Sequence, residues 1–143
     1  MNVFFDTSSL TKLYHQEDDT NKLLNFLNAN PGFGIYISEL TTVEIYSAIF
    51  KKVRMGHLVL PEAEMFLSLV DKDFKNFNII EIDTLLLKQA QRLVAKYGTR
   101  GLRTLDAIQL ASAISQKQII HLALTGDILL KQLLIAENFN CDF

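Results

Sequence analysis

The stretch LRTLDAIQLASAIS, Leu102–Ser115, is mostly apolar or small at helical spacing, yet a carboxylate, Asp106, stands in its apolar row. Leu102, Asp106 and Leu110 form one i, i+4 row, continued by Ala113 and Ile114. Such a row faces a core, and a charge placed there is costly unless it is partnered. The alternative is a first-turn acid favoured by the helix dipole, with Thr104 as the cap. SELTTVEIYSAIF poses the same question at Glu44, whose row is Leu40, Glu44 and Ala48, with Val43 and Tyr46 beside it. Glu44 reads as mid-helical, where no cap explains it. A solvated flank with Thr41, Ser47 and Lys51 would, and the sequence leaves both readings open. Asp6 follows the β-rich run NVFF, and Asp127 follows IIHLALTG. Taken singly, each of these is most simply an N-cap.

Taken together, the four acids have a chemistry. Carboxylates about 6 Å apart repel by roughly 3 kcal/mol per pair at an effective dielectric of about 20. Four converging acids would cost roughly 15 kcal/mol, comparable to the whole stability of a domain. Such a pocket must hold protons or a divalent cation. Carboxylate and water oxygens suit Mg²⁺ or Mn²⁺. No Cys/His spacing offers a zinc site, and His15, His57 and His121 are scattered.

The elements that would position these acids alternate between strand and helix. Strands are expected at Asn2–Phe5, Gly34–Ile37, Asn78–Ile82 and Ile119–Gly126, and CDF at the C-terminus reads as a last edge strand. Helices are expected in SSLTKLYH, over Asp18–Asn30, from a Ser38 cap to Gly56, from Pro61, from an Asp83 cap to Gly98, around Asp106, and from an Asp127 cap. Apolar strands separated by helices predict an α/β fold, a parallel sheet covered on both faces. In open parallel sheets ligands bind beyond the C-terminal strand ends, where Asp6 and Asp127 would lie.

The 143 residues suit one domain. Hydrophobic residues make up 49% and charged residues 21%, an ordinary globular balance. A net charge of −2 excludes binding of nucleic acid by broad charge attraction, so such contacts would be local. A lone cysteine, Cys141, excludes an internal disulfide and fits a reducing cytoplasm. No apolar run is long enough to span a membrane, and MNVFF lacks the basic start of a leader peptide.

Four segments carry a family resemblance. VFFDTSSL resembles the opening of a PIN domain, the nuclease fold of VapC-type toxins. TTVEIYSAIFKK resembles the second motif of that family, with Glu44 as its acid. LRTLDAIQLASA is close to the third motif, and LALTGDILL resembles the fourth. The order and spacing match over essentially the whole chain, 1–143, and they make Asp106 a site residue.

The resemblance implies a single PIN-like domain with about five parallel strands and helices on both faces. It implies a ribonuclease, with Asp6, Glu44, Asp106 and Asp127 around Mg²⁺ or Mn²⁺. It also implies in-line attack by water that leaves a 5′-phosphate and a 3′-hydroxyl. Thr7, Ser8 and Thr125 would orient acids or water by their hydroxyls. Lys51, Lys52, Arg100 and Arg103 are candidate contacts to RNA. The implied partners are an antitoxin protein, seated in a hydrophobic groove, and a second copy in a homodimer.

Other phosphoryl-transfer folds fit less well. A haloacid dehalogenase-type enzyme needs a second Asp two residues after the first, where Ser8 stands. A receiver domain needs an acid pair near the first strand and a lysine after its last strand. A catalytically weak binding module of the same fold is the other alternative.

Overall fold

A computed structural model describes residues 1–143. The chain runs β1 (Asn2–Phe5), α1 (Thr7–Thr11), α2 (Thr20–Ala29), β2 (Gly34–Ser38), α3 (Thr41–Arg54) and α4 (Leu60–Asp73). It continues with β3 (Asn78–Ile80), α5 (Thr84–Tyr97), α6 (Thr104–Ser115), β4 (Leu122–Leu124) and α7 (Ile128–Ala136). The four strands are all parallel, in the order β3-β2-β1-β4.

Strand alternation divides the core in two, because successive side chains point to opposite faces. Phe4 and Ala123 face a cluster with Leu93, Leu110 and Leu133 from α5, α6 and α7. Val3, Phe5, Ile37 and Leu124 face the other way, against Leu10, Leu23, Ile45 and Leu67 from α1 to α4. Helices therefore cover both faces of the sheet, as the apolar strands predict.

The register pairs Phe5 with Leu124 and also with Ile37. The C-terminal ends of β2, β1 and β4 therefore align along one edge. The connection after β1 leads to β2 on one side, while β4 lies on the other. That divergence makes the β1/β4 strand ends the switch point at which open α/β sheets bind ligands.

Several local expectations change. Ser38 ends β2, fully buried, and α3 starts only at Thr41 with Leu40 as its cap. Glu44 is thus a first-turn acid, and the helix dipole favours it there. Arg103, not Thr104, occupies the cap of α6, so Thr104 is its first helical residue. CDF forms no strand, although Asn140 accepts a hydrogen bond from the Ala123 amide at 2.9 Å and so extends the β4 edge.

Candidate active site

Asp6 follows β1 directly. Its amide donates to the Leu124 carbonyl at 3.1 Å, which continues the sheet one step beyond the strand. Its side chain caps α1, accepting from the Ser9 amide at 2.8 Å. The N-cap reading of Asp6 is therefore true, and it does not exhaust the residue. Ser8 Oγ lies 2.8 Å from Oδ1 and Thr125 Oγ1 lies 2.6 Å from Oδ2. Each hydroxyl in turn accepts from a loop amide: Ser8 from Gly126 at 2.8 Å, Thr125 from Asp127 at 3.0 Å. With its lone pairs so engaged, each hydroxyl turns its proton toward Asp6. Two amide–hydroxyl–carboxylate chains thus tie the loop after β4 to the residue after β1. Burial pushes the Asp6 carboxyl above its ordinary range, against the pull of Thr125, the Ser9 amide, Ser8 and Ser9.

Gly126 makes this approach feasible. A Cβ there would stand 3.2 Å from Ser8 Oγ and 3.6 Å from Lys12 Nζ. The same geometry shows Lys12 lying alongside the loop. Its ammonium forms no ion pair, since the chain's three salt bridges use other residues.

Glu44 enters from α3. Its Oε1 accepts from Thr7 Oγ1 at 2.8 Å and from Gln109 Nε2 at 2.7 Å. Gln109 Nε2 also reaches Thr41 Oγ1 at 2.9 Å, and Ser112 Oγ bonds Ser38 Oγ at 2.8 Å. These contacts fasten α6 to the ends of β2 and α3. Asp106, in the first turn of α6, is half-buried. Burial raises its carboxyl above the ordinary value, and the charges of Asp127, Asp6 and Glu44 add to the rise while Arg103 opposes it. Asp127 caps α7, accepting from the Leu130 amide at 2.6 Å through Oδ1.

The fold thus brings Asp6, Glu44 and Asp127, from three other segments of the chain, within electrostatic reach of Asp106. Asp6 is the most buried and Asp127 is exposed. No three acidic, histidine or cysteine side chains stand close enough to form a ready cage for an ion. A cleft of about 440 Å³ opens beside Glu44, Arg103, Thr104, Leu105 and Asp106. A larger hollow, about 890 Å³, lies by β3, α5 and the end of α6 and contains none of the four acids.

The candidate cations separate. Arg103 is exposed and lines the acid cleft. Lys52 pairs with Glu17, and Arg100 lies over the Tyr97 ring, 5.8 Å from its centroid. Lys51 is exposed in the last turn of α3, at the opposite end from Glu44. Lys12, Ser9, Thr41 and Gln109 are site residues that sequence reasoning did not single out. Gln109 left a trace, being a polar residue three positions after Asp106 within an apolar helix.

The family model of the PIN domain matches residues 3–133. The chain belongs to the PIN domain family. This PIN domain resembles the sarcin-ricin loop-cleaving toxin VapC20 of Mycobacterium tuberculosis, with a TM-score of 0.68 and 18% identity over 96% of this chain and 95% of that one. It resembles VapBC2 of Rickettsia felis, solved bound to a promoter DNA fragment, with a TM-score of 0.63 and 18% identity over 99% and 98% of the two chains. A toxin-antitoxin complex from Klebsiella pneumoniae matches with a TM-score of 0.59 and 22% identity over 87% and 86%. At these identities the likeness is one of fold. Comparison with curated proteins finds no match.

Proposed function

We propose that this PIN domain is a divalent-cation-dependent ribonuclease and the toxin of a toxin–antitoxin pair. The observation that carries the proposal is Asp106, a half-buried carboxylate facing the charges of Asp127, Asp6 and Glu44 at the switch point of the sheet. A structural acid gains nothing from three like charges, whereas a cation-binding acid needs them. The structural likeness to a sarcin-ricin loop-cleaving toxin supports RNA as the substrate.

The donor set fits Mg²⁺ or Mn²⁺. Asp106 makes no side-chain hydrogen bond, and Glu44 Oε2 and Asp127 Oδ2 are likewise uncommitted, since each partner's bonds go to the other oxygen. These oxygens, with Asp6 behind its hydroxyl donors, would hold the ion. An open arrangement suits Mg²⁺, which keeps several waters and binds through a few carboxylates plus substrate phosphate rather than in an all-protein cage. When bound, the cation lowers the pKa of adjacent water and offsets charge on the phosphate.

The chain's own residues do the rest. Ser8 and Thr125 fix Asp6, Thr7 fixes Glu44, and Arg103 and Lys12 offer positive charge to RNA phosphates that the acids would otherwise repel. Hydrolysis joins the water oxygen to phosphorus and breaks the P–O3′ bond, leaving a 5′-phosphate and a 3′-hydroxyl. Phe50, Val59, Leu60 and Leu69 on α3, α4 and their connection are exposed apolar residues, which supports an antitoxin groove and a homodimer surface there. Ile49 and Leu58, by contrast, belong to the core. No helix is long and apolar enough to cross a membrane.

The test is RNA cleavage with Mn²⁺ by the wild-type chain and by Asp6→Asn, Glu44→Gln, Asp106→Asn and Asp127→Asn. Each variant is expected to lose about 100-fold or more of the activity, exceeding the loss typical of residues that only support a metal ligand. A wild-type chain that binds RNA without turnover would instead make it a binding module.

A further inference from the structure

We propose that Gln109 is a positioning residue for Glu44, holding one carboxylate oxygen inward so that the other is presented to the cation. The inference rests on the proposed function and goes beyond it, to a residue outside the four acids. Gln109 is 3% exposed, in the middle of α6. Its Nε2 meets Glu44 Oε1 at 2.7 Å, Thr41 Oγ1 at 2.9 Å and Thr7 Oγ1 at 3.2 Å. Thr7 Oγ1 sends its own proton to the same Glu44 oxygen at 2.8 Å. Glu44 Oε1 therefore has two donors, and Oε2 has none within the protein.

The other end of the amide argues that this is not core filling. Gln109 Oε1 is buried and accepts no hydrogen bond. A buried acceptor without a partner is a penalty that methionine or leucine at this position would not carry. Turning the amide over would not relieve it, because the oxygen would then face the Glu44 carboxylate, an acceptor against an acceptor. Gln109 thus gives up its oxygen in order to aim its NH₂ group at Glu44 and the two threonines. The contacts join α6 to α1 and α3, so the helix that carries Asp106 also sets Glu44. Groups that orient a metal ligand in this manner typically change metal affinity about 10- to 100-fold when removed.

The experiment is a double-mutant cycle read by Mn²⁺ binding, followed by electron paramagnetic resonance of the free ion. Four chains are compared: wild type, Gln109→Met, Glu44→Gln and the double variant. Gln109→Met keeps the length of the side chain and removes the donor. The expected result is a dissociation constant raised about 10- to 100-fold by Gln109→Met in the wild-type background. The same change in the Glu44→Gln background is expected to have no further effect.

Equal affinity in Gln109→Met overturns the inference, as does an equal loss in both backgrounds, since Gln109 would then not act through Glu44. If Gln109→Met does not fold, Gln109→Leu enters the same cycle in its place. That variant also removes the donor to Glu44, and unchanged affinity in it overturns the inference too. A wild-type chain that takes up no Mn²⁺ overturns the cation reading and this inference together. Uptake by the wild type with no effect of either variant overturns the inference alone.

Discussion

Replacing Asp106 by Asn should stabilise the cation-free protein at neutral pH. Three acids face this carboxylate and one arginine opposes them. Three like charges at about 6 Å would cost about 8 kcal/mol at an effective dielectric of about 20. Asp106 is only half-buried, so solvent and salt screen much of that, and Arg103 offsets more. The remaining gain for Asp106→Asn is on the order of 1–2 kcal/mol. For a domain of this size it corresponds to roughly 3–8 °C in melting temperature.

The sign with pH follows from linkage. The folded-state pKa of Asp106 lies above the model-compound value of 3.8. Between the two values the folded chain binds more protons than the unfolded chain, so this residue's contribution to stability falls as pH rises. The penalty is complete above the folded pKa and vanishes below 3.8. The gain from Asp106→Asn should therefore be full at pH 7.5 and fade as the pH is lowered toward 3.8. Thermal melts of both chains in EDTA across that range provide the assay. A variant that melts below wild type at pH 7.5, or a difference that does not change with pH, would refute convergence of the acids and return Asp106 to a structural role.

Mn²⁺ at about 100 times its dissociation constant should stabilise the wild-type chain by about 2.7 kcal/mol, and Asp106→Asn by less, in the same melts. Thr125→Val removes the 2.6 Å donor to the most buried acid. It should lower stability at neutral pH by about 1.5–3 kcal/mol, measured by urea denaturation. Arg103→Gln and Lys12→Gln should each weaken RNA binding and flatten its salt dependence by about one phosphate contact, read from binding curves at several salt concentrations. Light scattering should give a dimer mass at micromolar concentration, and a monomer mass that does not change with concentration would remove the self-pairing proposal.

The alternating elements were legible because periodicity reports burial, and burial follows from the parallel sheet. Val3 and Phe5 against Phe4 show it, since the same short run supplies both cores. Boundaries were less legible. Ser38 is a good capping residue by type, but its hydroxyl bonds Ser112 across the core, and the helix starts three residues later. That offset hid the first-turn setting of Glu44. Of the four acids, Asp106 announced itself because charge interrupted an apolar row. Asp6 and Asp127 satisfy local cap rules, so their approach to Asp106 shows only when β1 and β4 pair. Gln109, Thr41 and Lys12 left little signal, because their contacts join segments 34 to 114 residues apart and no local pattern encodes such a meeting.

That pairing of β1 with β4 also sets when the molecule can work. Asp6 leaves the ribosome well before its strand neighbour, and the Thr125 and Gly126 that complete its hydroxyl chains are made more than a hundred residues later. At about 5–20 residues per second, the chain spends several seconds with Asp6 already synthesised and its surroundings missing. The acid pocket is therefore a late product of synthesis. A nascent chain carries no assembled acid pocket until Asp127 has been made, and a transcript broken before that codon yields a polypeptide without the fourth acid and without the helix it caps.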